Sequence, residues 1–158
     1  MTRAGLILQH ILWFMIIHDD LQDLCLWLIP RRRLALQTLK EGNERFVVGA
    51  PAAGKVHHSM REALATKGQA PHTAIVGCAD SRCPLETLFD ALPGDLFVLR
   101  NAGNTCTHAE GSILGSLEFC TGALNTQLIF VLGHTNCGAI KGATAAYFAA
   151  KKQPTKAT

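Results

Sequence analysis

Gln127-Leu128-Ile129-Phe130-Val131-Leu132-Gly133 runs straight into His134. A run this short and uniformly apolar reads as a strand covered on both faces. Two similar runs lie upstream: Thr73-Ala74-Ile75-Val76-Gly77 leads into Cys78, and Leu96-Phe97-Val98-Leu99-Arg100 follows the turn Pro93-Gly94-Asp95. Helical patterns separate them. Pro84 suits the first turn of a helix carrying Leu85, Leu88 and Phe89, and Gly111 to Leu124 sets Ile113, Leu117, Cys120 and Leu124 on one face. Gly138 to Lys152 is an Ala-rich helix with Ile140 and Tyr147 expected inward. Apolar strands alternating with helices predict an α/β fold of three layers, a central, mostly parallel β-sheet flanked by helices.

In open parallel sheets, ligands bind beyond the carboxyl ends of the strands. Cys78 and His134 each follow a strand directly, so the fold brings Cys78-Ala79-Asp80-Ser81-Arg82 and His134-Thr135-Asn136-Cys137 to one edge. Together they offer two thiolates and an imidazole, a zinc ligand set with one position left for chemistry. Two thiolates cancel the ion's formal charge, so its water is less acidic than in a site of three neutral histidines, where the pKa falls to about 7. A neighbouring group has to compensate. Asp80 can accept a hydrogen bond from the nucleophile while Arg82 keeps that carboxylate ionised, or Asp80 can swing onto the zinc as a fourth ligand and close the site.

The pattern Cys-x-Asp-Ser-Arg followed by His-x-x-Cys-Gly resembles the signature of the β-class carbonic anhydrases. Supporting stretches are Glu41-Gly42-Asn43-Glu44-Arg45-Phe46, the segment from Pro93 to Asn104, Gly115-Ser116-Leu117-Glu118-Phe119, and Gly133 to Ala139. The resemblance implies reversible hydration of carbon dioxide to bicarbonate and a proton by zinc-bound hydroxide. It assigns one Zn2+ per chain to Cys78, His134 and Cys137, and makes Asp80 and Arg82 the catalytic pair. Gln69, Phe97 and Phe119 are implied to line the substrate pocket, which in the family forms at a dimer interface, so the expected partner is the chain itself, as a homodimer or dimer of dimers. The same metal set also suits a non-catalytic, zinc-stabilised oligomerisation module, or a hydrolase of a sulfur analogue of carbon dioxide. Family chains continue past the helix after Cys137, so residues 34–158 are expected to lack the C-terminal part of the family domain.

Residues 1–33 are expected to form an apolar N-terminal helical arm, with Leu21, Leu24 and Leu28 on one face. Ile11 to Ile17 falls short of the roughly 20 apolar residues that span a bilayer, so no transmembrane anchor is expected. Scaffold helices are predicted from Leu34 to about Val47, through Leu36, Leu39, Asn43 and Phe46, and from a capping box at Ser59-Met60-Arg61-Glu62 to Gly68. A net charge of +3, with Arg31-Arg32-Arg33 the only basic run, gives no warrant for a nucleic-acid partner, and none is expected. The 6 cysteines lack a disulfide framework's spacing, which points to a reducing compartment, the cytoplasm or an organelle interior. Cys25, Cys83, Cys106 and Cys120 read as packed or partly exposed thiols, and His57, His58, His72 and His108 as loop or surface residues.

Overall fold

The structure, a computed structural model, describes residues 13–14, 25–50, 56–106 and 111–152. The expectations for Leu21, Leu24, His108 and most of the Ile11 to Ile17 run lie outside those residues. The elements run β1 (Trp13–Phe14), α1 (Cys25–Val47), α2 (His58–Lys67), β2 (Thr73–Cys78), α3 (Leu85–Leu88), β3 (Leu96–Asn101), α4 (Ser112–Gly122), β4 (Leu128–Leu132) and α5 (Gly138–Lys152). One sheet of order β1-β4-β2-β3 results. β2 is parallel to both β3 and β4, and β1 pairs antiparallel on the outer side of β4.

Alternation along each strand divides the apolar side chains between two layers. Ile75 of β2, Leu96 of β3 and Phe130 and Leu132 of β4 join Leu39 of α1, Leu85 of α3 and Phe89 in one cluster. Ala74 and Val76 face the opposite way and pack on Leu117 and Cys120 of α4, with Ile113 and Leu124 beside them. The sheet is therefore covered on both faces, and the helix stripe expected over Ile113 to Leu124 is the buried one.

Local chemistry sets several boundaries differently from the pattern reading. α1 begins at Cys25 and includes Pro30, so the helix expected from Leu34 extends upstream, while Trp13 and Phe14 form a strand. Ser59 lies inside α2, whose N-cap is His57 with no side-chain cap bond, so the capping box does not form; Gly68, at φ 78°, does terminate the helix. Ile140 and Tyr147 are exposed, 49% and 55%, rather than inward. Every residue from Lys141 to Lys151 is exposed, because α5 leaves the sheet edge without another described element over it. Among the described residues, no helix is long and apolar enough to cross a membrane.

α1 meets α3 by close backbone approach. A Cβ on Gly42 would lie 1.8 Å from the Phe89 carbonyl oxygen, and Asn43 Nδ2 donates to the Leu88 carbonyl at 2.8 Å. Arg45 closes the same junction by pairing with the buried Asp90. Gly42→Ala is therefore expected to lower stability by on the order of 3 kcal/mol, since backbone rather than a flexible side chain blocks the methyl group. Urea unfolding checks this, and an unchanged midpoint would mean that α1 does not dock in this way.

Candidate metal centre

The parallel register sets the site. Cys78 ends β2 opposite Asn101, and Gly77 lies opposite Leu132, so the chain leaving β4 reaches His134 beside Cys78. Asn136 then adopts φ 57°, a left-handed conformation that asparagine tolerates, and turns Cys137 back toward the same point. The ligand atoms of Cys78, His134 and Cys137 all lie within 4.8 Å of one another. The two sulfurs are 3.8 Å apart. A tetrahedral ion bound through sulfur at about 2.3 Å, as zinc is, requires a sulfur separation of about 3.8 Å, so the spacing fits without rearrangement.

The histidine is oriented for the same task. Its Nδ1 lies 3.0 Å from the Thr135 carbonyl, which can only accept, so this nitrogen carries the proton. Arg82 Nη2 also approaches Nδ1, but at a longer 3.4 Å, and its hydrogens are directed to Asp80 Oδ2 at 2.7 Å, so the shorter carbonyl contact sets the tautomer. Nε2 is left unprotonated, buried and without a hydrogen-bond partner. An orphaned lone pair facing two thiols is what a metal ligand looks like before its ion.

Cys78 is stabilised as a thiolate. The Gly103 N–H, 3.4 Å from its sulfur, is the main cause. The Asp80 N–H and Cys137 add to it against the opposing effect of burial, and the thiol falls from 9.0 to about 6. Gly103 sits at φ 83°, where side chains are strained, in a loop pinned by Asn101, which donates to the Thr105 carbonyl at 2.6 Å and accepts its N–H at 2.8 Å.

Asp80 stands beside the trio, with Oδ2 4.0 Å from His134 Nε2. Both its oxygens are taken by Arg82, through Nε to Oδ1 at 2.9 Å and Nη2 to Oδ2 at 2.7 Å, with the Arg82 N–H adding a bond at 3.0 Å. This fork holds the Asp80 carboxyl far below the usual carboxylate range. Arg82 also reaches the Asn136 carbonyl at 3.4 Å, linking the two motif turns.

The remaining expected site residues are not beside the trio in one chain. Gln69 is exposed and precedes β2, at the amino edge of the sheet, while Cys78 ends that strand at the carboxyl edge. Phe97 lies opposite Ala74, four residues before the Cys78–Asn101 pair. Its ring is 6.3 Å from that of Phe119, which is 53% exposed. Cys83 and Cys120 are buried and Cys106 exposed, all free thiols, and burial pushes Cys83 and Cys120 upward. His72 is half-buried rather than on the surface, and burial lowers its pKa. The sequence reading missed Gly103 and Thr135, which act through their own backbone groups, and Arg100, whose side chain donates to the backbone carbonyls of Cys78 and Asp80; the one available signal was a charged residue, Arg100, closing an apolar run.

Residues 73–157 match the family model described as carbonic anhydrase. The chain is 47% identical over 112 residues to "Carbonic anhydrase 2" of Mycobacterium tuberculosis, covering 71% of this chain and 52% of that protein. It is 44% identical over 115 residues to the carbonic anhydrase of Mycolicibacterium smegmatis, with the same coverage of 71% and 52%. Among solved structures, the β-carbonic anhydrase CafA of Aspergillus fumigatus superposes with a TM-score of 0.51 at 33% identity, over 71% of this chain and 50% of that one. The chain thus spans about half the length of the relatives it matches.

Because Cys78 titrates near pH 6 in the fold and near 9 when unfolded, the folded chain binds fewer protons between those values. The stability Cys78 contributes is fully present above about pH 9 and is lost as pH falls through about 6. The metal-free protein should therefore show urea midpoints that rise across this window, with a slope reduced in Cys78→Ser. A slope that survives the substitution unchanged would assign it elsewhere.

Proposed function

The chain belongs to the β-class carbonic anhydrase family, and on that premise we propose that it catalyses the reversible hydration of carbon dioxide to bicarbonate at a zinc ion. The observation that carries this reading is the convergence of Cys78, His134 and Cys137, with an unpartnered Nε2, beside the Asp80–Arg82 fork. Those three residues would hold one Zn2+, which supplies the Lewis acidity that makes water a nucleophile at neutral pH.

The chain's own residues do the rest. Asp80, kept ionised by Arg82, is too weak a base to remove the water's proton outright; its carboxylate accepts a hydrogen bond and fixes the direction of attack. The proton leaves to solvent or buffer. The two-bond fork from Arg82 favours an Asp80 turned toward the arginine rather than onto the metal position. Closing the site with Asp80 as a fourth ligand would require that fork to break.

Substrate binding needs a second copy. β2 covers Thr73–Cys78, so at about 3.3 Å per residue its ends lie roughly 17 Å apart, and Gln69 precedes the end away from the trio of its own chain. Gln69 can donate its amide to a substrate oxygen, and Phe97 and Phe119 can form an apolar wall, only across an interface between copies. A homodimer, or a dimer of such dimers, is the smallest assembly that completes the pocket. A reducing compartment, cytoplasm or organelle interior, is proposed with it, since it would keep Cys78 and Cys137 available as ligands.

Stopped-flow carbon dioxide hydration on zinc-loaded protein of measured size tests the reading. Turnover is expected in the oligomer, and Asp80→Asn should keep its zinc while losing about 10²-fold or more in kcat. One zinc per chain without hydration would instead identify a zinc-stabilised oligomerisation module, and preference for a sulfur analogue in competition would identify the hydrolase.

The interface can be tested separately. Mixing Gln69→Ala with Cys137→Ser should recover activity above either variant alone, because the metal site of one copy meets the intact Gln69 of the other. No recovery in mixed oligomers would return Gln69 to its own chain.

A further inference from the structure

Arg100 is the charged residue near the end of an apolar strand, opposite Gly77 and one position before the Cys78–Asn101 pair. Its Nε donates to the Cys78 carbonyl at 2.9 Å and its Nη2 to the Asp80 carbonyl at 2.7 Å. One side chain thus grips the backbone at a metal-ligand residue and at the carboxylate beside it. Between them lies Ala79, exposed and with only a methyl group to lock the turn. Its N–H is held by the Asn101 carbonyl at 2.8 Å, and the Asp80 carbonyl also accepts the Cys83 N–H at 3.0 Å.

A guanidinium presents several donors in a rigid plane, so two bonds from it fix the separation of two carbonyls as well as their existence. A lysine ammonium at the same place is a point charge and leaves that separation free. The carbonyl positions set the chain direction through residues 78 to 80. That direction decides where the Cys78 sulfur and the Asp80 carboxylate point.

We propose that Arg100 is a positioning residue of the metal centre, clamping the Cys78 and Asp80 carbonyls so that the thiolate faces Cys137 and the carboxylate faces Arg82. This rests on the zinc-site reading above, and it adds a partner that touches neither metal nor substrate. Groups that orient metal ligands from outside the coordination sphere typically govern affinity by about 10–100-fold.

The test uses the full chain with Arg100→Lys and Arg100→Met. Zinc affinity is read by competition with a chromophoric chelator, the thiolate-to-cobalt absorption by Co2+ substitution, and folding by far-UV circular dichroism. Both variants should fold, lose about 10–100-fold in zinc affinity and show an altered cobalt spectrum. Carbon dioxide kinetics should show a fall in kcat with little change in KM. Lysine should not rescue.

Zinc affinity within about twofold of the parent in folded Arg100→Lys would overturn the proposal, because charge alone would then suffice. If Arg100→Met does not fold, Arg100→Lys still decides. A second measurement compares the kcat loss of Arg100→Lys in the parent and in the Asp80→Asn background. The loss should shrink in the latter, and full additivity would remove the action through Asp80. Should the parent bind zinc without hydrating carbon dioxide, the functional reading fails while the affinity and cobalt measurements still judge Arg100.

Discussion

The parallel pairing of β2 with both neighbours is the constraint from which the site follows. Because β2 is central, its carboxyl end lies level with those of β3 and β4, and residues leaving all three strands share one edge. A slip of one residue would exchange Ile75 with Ala74 and Val76 between the two apolar layers, so the hydrophobic pattern holds the register. Gly77 contributes at the same level. A Cβ there would lie 2.7 Å from Leu85 Cδ1, so its absence lets α3 press against the strand just before Cys78.

The electrostatic problem is to hold two sulfurs 3.8 Å apart with a carboxylate nearby. The fold answers it with donors aimed from the backbone and from two arginines. Gly103 stabilises negative charge on Cys78, Arg82 takes both oxygens of Asp80, and Arg100 binds the carbonyls on either side of Ala79. Each anion has its own partner before any cation enters. Among the described residues of the trio, His134 Nε2 is a buried nitrogen left without a hydrogen-bond partner, and that asymmetry fits a ligand set better than a packed polar core.

Much of this was legible in the sequence because strand identity and motif position coincide. Cys78 and His134 follow apolar runs, and the rule for parallel sheets brings them together without reference to any relative. The three-layer core was equally readable from Ile113, Leu117, Cys120 and Leu124. What escaped depends on backbone direction, which side-chain patterns do not encode. The Thr135 carbonyl sets the His134 tautomer, and the Gly103 N–H tunes a thiol across 25 positions of sequence. The inward face assigned to Ile140 and Tyr147 failed for another reason: periodicity reports that a helix has an apolar stripe, not that the described residues cover it.

That stripe, exposed among the described residues, bears on how a pocket can be completed. Gln69 lies at the amino edge and the trio at the carboxyl edge, and no bending of a six-residue strand brings its ends together. A two-fold operator does so directly, since an isologous interface lets a residue from one edge of each copy meet the opposite edge of the other. Such an interface needs apolar surface to bury, and Phe119, Ile140, Tyr147 and Phe148 are each about half exposed. In the proposed enzyme, Phe119 would then serve assembly and substrate binding together. A change there should affect subunit affinity and turnover in the same direction, whereas the Cys78, His134 and Cys137 geometry belongs to the single chain and should survive dissociation.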